Sequence, residues 1–562
     1  MTIAQAFDVA HEHHQAGRLA DAEAIYRQIL AAQPRHAEAL HFLGVIAHQV
    51  GRHALAAVWI GQAIVLNPNN PAAHSNLGEA CRTMGRVDDA IAAYRRAIEL
   101  QPDYAQTHNN LGNALRDRGQ LDEAIAAYGR ALELAPENAG AHSNLIFALH
   151  LHPGHDDRTI AAEHQRWNRR FSEPVKQFVQ PPANDRDPER RLRVGYFSPD
   201  FRDHAVGRYA LPLFERHDRE QFEILCYSAV ARPDWMTERI QALAGYWRNT
   251  TAIPDARLAE MIREDKVDIL VDLAMHTAGN RLPMLAWQPA PVQVAWLAYP
   301  GSTGLPGIGY RLTDACMDPP GIEPAWSAEE PVRLPHCWCC YDPVGESPEV
   351  NALPAWSAAG VTFGSLNNFA KVNEGVLALW GRLMDAAPGS RIVMLCPEGW
   401  ARERVRAFFA ARRIAPERVE LVGLLPRSEY LGLYRRIDIA LDTFPYNGMT
   451  TTCDALWMGA PVLTLPGKTA ASRAGLSILS SVGLAEFAAS SEEDLVRTTV
   501  ELAGNLPRLA DLRATLRARM LASPLMDAPR FARNLEAAYR MMWRRWCEDP
   551  SPLSDKSDRS AR

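Results

Sequence analysis

The segment HSNLGEACRTMGRVDDAIAAYRRAIELQP, residues 74–102, recurs along the N-terminal region, and its reading decides the fold there. The proline that closes it, Pro102, returns at Pro34, Pro68 and Pro136, a spacing of 34 residues. Gly85 has counterparts at Gly17, Gly51 and Gly119, and Gly78 has counterparts at Gly44 and Gly112, on the same period. A large side chain recurs at Tyr26, Ile60, Tyr94 and Tyr128. A small one falls at Ala22, Ala56, Ala90 and Ala124, where two antiparallel helices must pass closely. A period of this length describes a helix-turn-helix unit that buries its apolar face only by stacking on its neighbours.

This is the tetratricopeptide pattern. Four repeats, the first degenerate, precede a lone helix from about Ala139 to Leu151 that can cap the stack, so residues 1–152 are read as one α superhelical solenoid. Asn76, Asn110 and Asn144 also recur at 34. A side-chain amide can pair with both the N–H and the C=O of an extended peptide. These three residues are therefore expected to line a groove that grips acceptor backbone without reading its sequence, although generic scaffolding is the plainer role of such arrays.

At 562 residues and 62.4 kDa the chain should hold about three or four domain-sized units. Lys plus Arg number 60 against 66 Asp plus Glu, a net charge of −6 that lacks the basic footprint of nucleic-acid binders. The charge-free stretch from Leu282 to Tyr310 contains five prolines and four glycines, which would break a spanning helix, so no membrane association is expected. Asp8, Glu12 and nearby histidines occupy the place of a signal peptide's apolar run. The nine cysteines, an odd count without framework spacing, fit a reducing compartment. A cytoplasmic location is the expectation. His336-Cys-Trp-Cys-Cys340 lacks the second Cys pair and second His pair of a structural zinc site and reads as buried strand-end cysteines.

Residues 153–190 turn charged and aromatic and end in a Pro-rich run, a helical connector followed by a linker. Beyond it, short β-branched runs alternate with amphipathic stretches: Leu192 to Phe197, Phe222 to Val230, Val267 to Leu273 and Val292 to Tyr299. The pattern restarts with Val361 to Leu366, Ile392 to Cys396, Val419 to Val422, Ile437 to Leu441 and Pro461 to Leu465. Strand-helix alternation implies parallel sheets covered on both faces, hence two doubly wound, Rossmann-like α/β domains, 191–345 and 355–546. A last long helix is expected to cross back onto the other domain, and 547–562 to form a disordered polar tail.

Tandem doubly wound domains bind ligands in the cleft at the carboxyl ends of their strands. A dinucleotide fingerprint is absent, and Gly459 to Thr469 misses P-loop spacing, so neither a nicotinamide enzyme nor an ATPase is indicated. Asp185-Arg-Asp187 lies in the linker and reads as solvated charge. Three strand-end segments remain. Ser198 to His204 offers a histidine as base or hydrogen-bond donor. Leu366 to Lys371 offers a lysine able to reach a phosphate. Asp442 to Thr452 offers Gly448 and a run of hydroxyls at a helix start, a ready anion site.

Taken together, the repeats with their asparagines, RVGYFSPDFRDH ending at His204, PAPVQVAWLAYPG ending at Gly301, Lys371 after a strand, and Asn447-Gly-Met-Thr450-Thr451 with Asp454-Ala-Leu-Trp457 resemble the O-linked N-acetylglucosaminyltransferase family in its short bacterial form. The resemblance implies a solenoid followed by a glycosyltransferase-B pair of domains. It also implies metal-independent, inverting transfer of N-acetylglucosamine from UDP-N-acetylglucosamine to Ser or Thr of proteins, with no cofactor. By motif, Lys371 resembles the lysine that neutralises the departing diphosphate, Thr450 and Thr451 the pair that hydrogen-bonds it, and His204 the histidine at the active centre. Asn368 stands where many members have glutamine. Leu425-Pro426-Arg427 matches the uridine-holding segment with Arg427 in place of lysine, Tyr430 replaces a histidine that stacks on uracil, and Asp454 matches a ribose-contacting aspartate. Met449 replaces a histidine beside the phosphates. Transfer of another sugar, transfer to asparagine, and a repeat scaffold with a vestigial transferase remain the alternatives.

Overall fold

The computed structural model describes residues 1–321, 327–358 and 360–549, and these divide into two compact units. The first comprises Met1–Ala141 with Leu395–Phe408 and Leu421–Leu424; the second takes up the described chain from His142 onward, apart from those two segments.

In the first unit, helices pair in sequence: Ile3–Gln15 with Leu19–Ala32, Ala37–Gln49 with His53–Leu66, Pro71–Thr83 with Val87–Leu100, and Ala105–Asp117 with Leu121–Leu134. The two glycine series have different causes. Gly85 turns the chain at φ +77°, a left-handed conformation that side chains disfavour. At Gly78 a Cβ would come within 2.6 Å of the Tyr94 ring, so helix contact requires the missing side chain. Tyr94, Ala90 and their equivalents in the other pairs are fully buried, and burying one such large side chain, Ile60, is worth about 2 kcal/mol.

The unit boundary falls at Ala141 rather than at 152. The helix Ala139–Leu151 commits most of its length to the second unit. His142 bonds Glu163 at 2.6 Å, Ser143 bonds His276 at 3.0 Å, and the His150 ring lies 5.1 Å from that of Tyr299. Within the first unit, Leu395–Phe408 stays with the repeats because the Trp400 N–H donates to Asp88 at 2.8 Å and the Arg118 guanidinium sits 4.9 Å over the Trp400 ring.

The first α/β domain carries β1 (Leu192–Ser198), β2 (Phe222–Ser228), β3 (Tyr246–Asn249), β4 (Ile269–Asp272), β5 (Val292–Ala295), β6 (Tyr310–Asp314) and β7 (Glu330–Leu334), all parallel, in the order β3-β2-β1-β4-β5-β6-β7. The second carries β8 (Thr362–Ser365), β9 (Arg391–Leu395), β10 (Val419–Val422), β11 (Ile439–Leu441) and β12 (Val462–Leu463) in the order β10-β9-β8-β11-β12, with β9, β8, β11 and β12 parallel. Val194 of β1 sits between Ile224 and Ile269, the continuous apolar layer of a sheet covered on both faces. The connector is helical, Asp157–Trp167 followed by a wider π turn, Asn168–Ser172, and a tighter 3-10 stretch, Glu173–Phe178.

The final helix, Ala528–Glu548, returns to the first α/β domain. Its Glu536 accepts from His217 and from the Asp218 N–H, each at 2.8 Å, and Tyr539 meets Tyr196 at 3.1 Å. The helix runs through 547, where the tail was expected to begin. Arg544 on Glu189 at 2.8 Å and Arg545 on Glu330 at 2.7 Å hold the last helical turn, and 550–562 lie outside the described residues.

Candidate active site

In each sheet the strand order reverses at one point, between β1 and β4 and between β8 and β11, and ligands bind in the crevice outside such points. The segments leaving β1, β8 and β11 are those that carry His204, Lys371 and Thr450. The helices that follow the first and third are in contact across the cleft. Tyr209, on the helix Ala205–Arg216, donates to the Cys453 sulfur on the helix Thr450–Trp457 at 3.5 Å.

Lys371 ends a short turn, Phe369–Lys371, and its Nζ donates to the backbone carbonyl of Asn447 at 2.8 Å. The same Nζ lies 4.3 Å over the Tyr446 ring. Burial lowers its pKa to about 8, against the pull of Asp442. Asp442 itself is pushed up to about 6 by burial. It accepts from the Gly448 N–H at 2.6 Å, the Thr443 N–H at 2.8 Å and the Thr464 hydroxyl at 2.7 Å. Asn368 caps the Lys371 turn, its Oδ1 accepting from the Ala370 N–H at 3.0 Å, and is exposed.

The helix Thr450–Trp457 starts without a side-chain cap; Met449 occupies the cap position. The Thr451 hydroxyl donates to Asn367 at 2.9 Å, and that of Thr452 to the Gly448 carbonyl at 2.9 Å. A Cβ on Gly448 would approach Thr451 Oγ1 at 2.2 Å and Asn367 Oδ1 at 2.7 Å, so only glycine lets the loop close onto the helix start. A helix N-terminus without a side-chain cap favours an anion.

Asp454, matched to ribose contact, is 1% exposed. Its oxygens accept from Arg427 at 2.8 and 3.0 Å and from the Tyr341 hydroxyl at 2.7 Å. Its carboxylate is thus engaged by Arg427, which opens the helix Arg427–Leu433 after Leu425 and Pro426. Tyr430 presents its ring edge-on to Tyr434 at 5.8 Å, their hydroxyls 3.3 Å apart, and Tyr434 donates to the Thr451 carbonyl at 3.1 Å. Arg427, Tyr430, Tyr434 and the helix start therefore form one connected group.

His204 caps the helix Ala205–Arg216: its Nδ1 accepts from the Val206 N–H at 3.3 Å and lies 3.6 Å from Asp200. Burial holds its pKa below the usual imidazole value, partly offset by Asp200. With Nδ1 facing an N–H, the ring hydrogen belongs on Nε2.

In the first unit the Asn76 amide meets His41 at 2.9 Å, and the Asn110 oxygen accepts from Gln106 at 2.9 Å. Asn144 lies in the helix Ala139–Leu151. His336 is exposed while Cys337, Cys339 and Cys340 are buried, with Cys337 and Cys339 sulfurs 3.7 Å apart. Four residues that frame the site lie within the strand-end segments but were given no role of their own from the sequence: Asn367, Asp442, Tyr446 and Asn447. Their signal was position within the strand-end segments, not side-chain chemistry.

A tetratricopeptide array followed by two parallel, doubly wound domains that share one cleft is the glycosyltransferase-B class of architecture. The glycosyl transferase family 41 model matches residues 141–341 and 351–535, and tetratricopeptide models match 8–71 and 69–137. The chain belongs to glycosyl transferase family 41. It is 41% identical over 411 residues to the probable UDP-N-acetylglucosamine–peptide N-acetylglucosaminyltransferase SPINDLY of Petunia hybrida, covering 72% of this chain and 44% of that protein. The probable enzyme of the same activity named SEC, from Arabidopsis thaliana, is 33% identical over 374 residues, 65% of this chain and 38% of that protein. The chain thus spans less than half the length of these relatives. A solved structure, a lysine-to-methionine variant of Thermobaculum terrenum O-GlcNAc transferase, superposes with a TM-score of 0.79 at 35% identity, covering 97% of this chain and 98% of that one.

Proposed function

We propose that this protein is an inverting, metal-independent glycosyltransferase that moves N-acetylglucosamine from UDP-N-acetylglucosamine to Ser or Thr hydroxyls of proteins. The observation that carries the reading is the convergence of Lys371 and the uncapped start of Thr450–Trp457 on one crevice. An acceptor hydroxyl attacks the anomeric carbon while the bond to the β-phosphate breaks on the opposite face. Negative charge then gathers on the leaving diphosphate, where a lysine and a helix N-terminus do what a divalent cation does elsewhere. His204, with its hydrogen on Nε2, serves as a donor that orients the reacting groups; the hydroxyl proton is released to the medium with UDP. Arg427, held by Asp454, and Tyr430 hold the nucleoside, with Leu425 and Pro426 beside them and Met449 and Asn368 flanking the phosphates. Asn76, Asn110 and Asn144 guide the acceptor. The protein works in the cytoplasm, without nucleic acid or membrane; no helix among the described residues is long and apolar enough to cross a bilayer, and the cysteines are unpaired.

Arg427, Tyr430 and Met449 depart from the family's lysine and histidines, and this favours a second reading in which the sugar or its nucleotide differs. The test offers radiolabelled UDP-N-acetylglucosamine, UDP-glucose and guanosine-diphosphate sugars to the enzyme with cell lysate, followed by mass spectrometry of labelled proteins. Label on Ser or Thr from UDP-N-acetylglucosamine alone is the expected result. Label from another donor, or on asparagine, selects the alternative, and none from any donor leaves a vestigial scaffold.

A further inference from the structure

We propose that Tyr446, backed by Phe147 of the terminal repeat helix, is a positioning residue that seats the Lys371 ammonium. An ammonium has three hydrogens, and here one is spent on the Asn447 carbonyl at 2.8 Å. The ring face of Tyr446, 4.3 Å from Nζ, lies inside the range in which an aromatic quadrupole attracts a cation. Tyr446 is 4% exposed and cannot swing away. Behind it the Phe147 ring stands edge-on at 6.1 Å and 72°, and Phe147 in turn meets the buried Tyr299 ring at 5.9 Å and 66°. Both are favoured aromatic geometries.

The loop that carries the seat is tied on both sides of Tyr446. The Thr443 hydroxyl donates to the Tyr446 carbonyl at 2.8 Å, the Asn447 amide to the Thr443 carbonyl at 2.8 Å, and the Asn447 N–H to Ala471 at 3.0 Å. The groups that face Lys371 are Asp442, at the end of β11, and the Tyr446 ring, from the loop that follows; both favour the ammonium, while burial opposes it. With one hydrogen tied and the ring below, the remaining hydrogens are directed to the open side of the seat. Phe147 lies one turn beyond Asn144 on the same helix, so an element expected to hold acceptor also braces the residue that holds the leaving group.

The consequence for turnover rests on the transferase reading above; the seat itself does not. The chain has five lysines, Lys176, Lys266, Lys371, Lys468 and Lys556, so lysine labelled with ¹³C at Cε gives a sparse spectrum in which Lys371→Met assigns the signal. In the wild type Lys371 is expected to titrate near pH 8. Tyr446→Leu should lower that midpoint by about half a unit to one and a half units, as loss of a cation–π contact implies. Tyr446→Phe, which keeps the ring, should restore it, and Phe147→Leu should shift it the same way by less. In UDP-release assays Tyr446→Leu should lose roughly tenfold in kcat with a smaller change in KM. If Tyr446→Leu does not fold, Phe147→Leu carries the test. An unmoved Lys371 midpoint in a folded Tyr446→Leu protein, or a Tyr446→Phe shift as large as that of leucine, overturns the proposal. The expected shifts in a protein that uses no nucleotide sugar support the seat and sink the transferase reading instead.

Discussion

Arg427 grips both oxygens of Asp454, at 2.8 and 3.0 Å, while the Tyr341 hydroxyl takes a third contact at 2.7 Å. The carboxylate is buried and the guanidinium is a quarter exposed. Asp454→Asn keeps the shape but turns an amide N–H toward Arg427, and the lost charge-assisted bonds should cost about 1–3 kcal/mol in urea unfolding. UDP affinity should fall with it, because Arg427 is no longer fixed. Wild-type unfolding and affinity together would contradict the assignment of Asp454 as the anchor of Arg427.

Lys371→Met should lower turnover by at least about a hundredfold, the usual loss for one preorganised contact to transition-state charge. UDP binding, by calorimetry, should fall much less, since that charge is greater in the transition state than in the bound substrate. Wild-type activity should persist in EDTA. Restoration of an EDTA-silenced enzyme by magnesium or manganese would place the leaving charge on a metal.

The pH profile of kcat should be bell-shaped. Lys371 carries its charge below about 8, and Asp442 is ionised above about 6, where it holds the Gly448 N–H most firmly. Stability moves differently. The folded Lys371 binds its proton less tightly than the usual 10.5, so between about 8 and 10.5 the unfolded chain holds more protons and this residue's contribution rises with pH. Asp442 is raised from 3.8 to about 6, so its contribution falls as pH climbs through that interval. Activity should therefore decline above pH 8 before any loss of fold, as parallel rate and melting measurements would show. A rate that keeps rising to pH 9 would exclude the Lys371 limb.

Changing Asn76, Asn110 and Asn144 together to Ala should weaken transfer to protein acceptors while sparing slow hydrolysis of the donor. Asn76 and Asn110 already meet neighbouring side chains, His41 and Gln106, so a small loss of thermal stability is expected as well. Equal loss of transfer and hydrolysis would mean that the asparagines support the fold and not the acceptor.

Tyr430→Ala should weaken UDP binding roughly ten- to a hundredfold if its ring stacks on the base, whose loss costs about 1–3 kcal/mol. Tyr430→Phe gives up only the 3.3 Å contact with Tyr434 and should bind UDP much as the wild type does. Unchanged affinity in the alanine variant would show that the ring serves Tyr434 alone.

The repeats were legible because one period governs glycine, alanine and aromatic positions at once, and the inner strands because buried parallel strands are apolar throughout. β6 was not: Arg311 is its second residue, buried and paired with Asp318 at 2.8 Å, so Tyr310-Arg-Leu-Thr-Asp reads as polar. β3 is half exposed, with Arg248 bonded to Asp265 at 2.7 Å, and β7 opens with Glu330-Pro331; edge strands lack the apolar signal. In the site, Lys371 and Thr451 were legible as chemistry. Asn447 was not, because it contributes a carbonyl that every residue has. The bond from Arg427 to Asp454 spans 27 positions, and no local pattern announces it.

The chain leaves the first α/β domain past Tyr341 and comes back past Leu525, and the Tyr341 N–H donates to the Leu525 carbonyl at 2.8 Å. The outgoing and returning passages thus run side by side, like the spine of a book, and the Arg473 guanidinium on the Cys316 carbonyl at 2.7 Å adds a second stitch between the domains. The Tyr341 hydroxyl reaches Asp454, and through it Arg427. The Arg427 end of the cleft is therefore fastened to that seam, and on the transferase reading proposed above it is the nucleoside that would be held beside the place where the two domains are stitched.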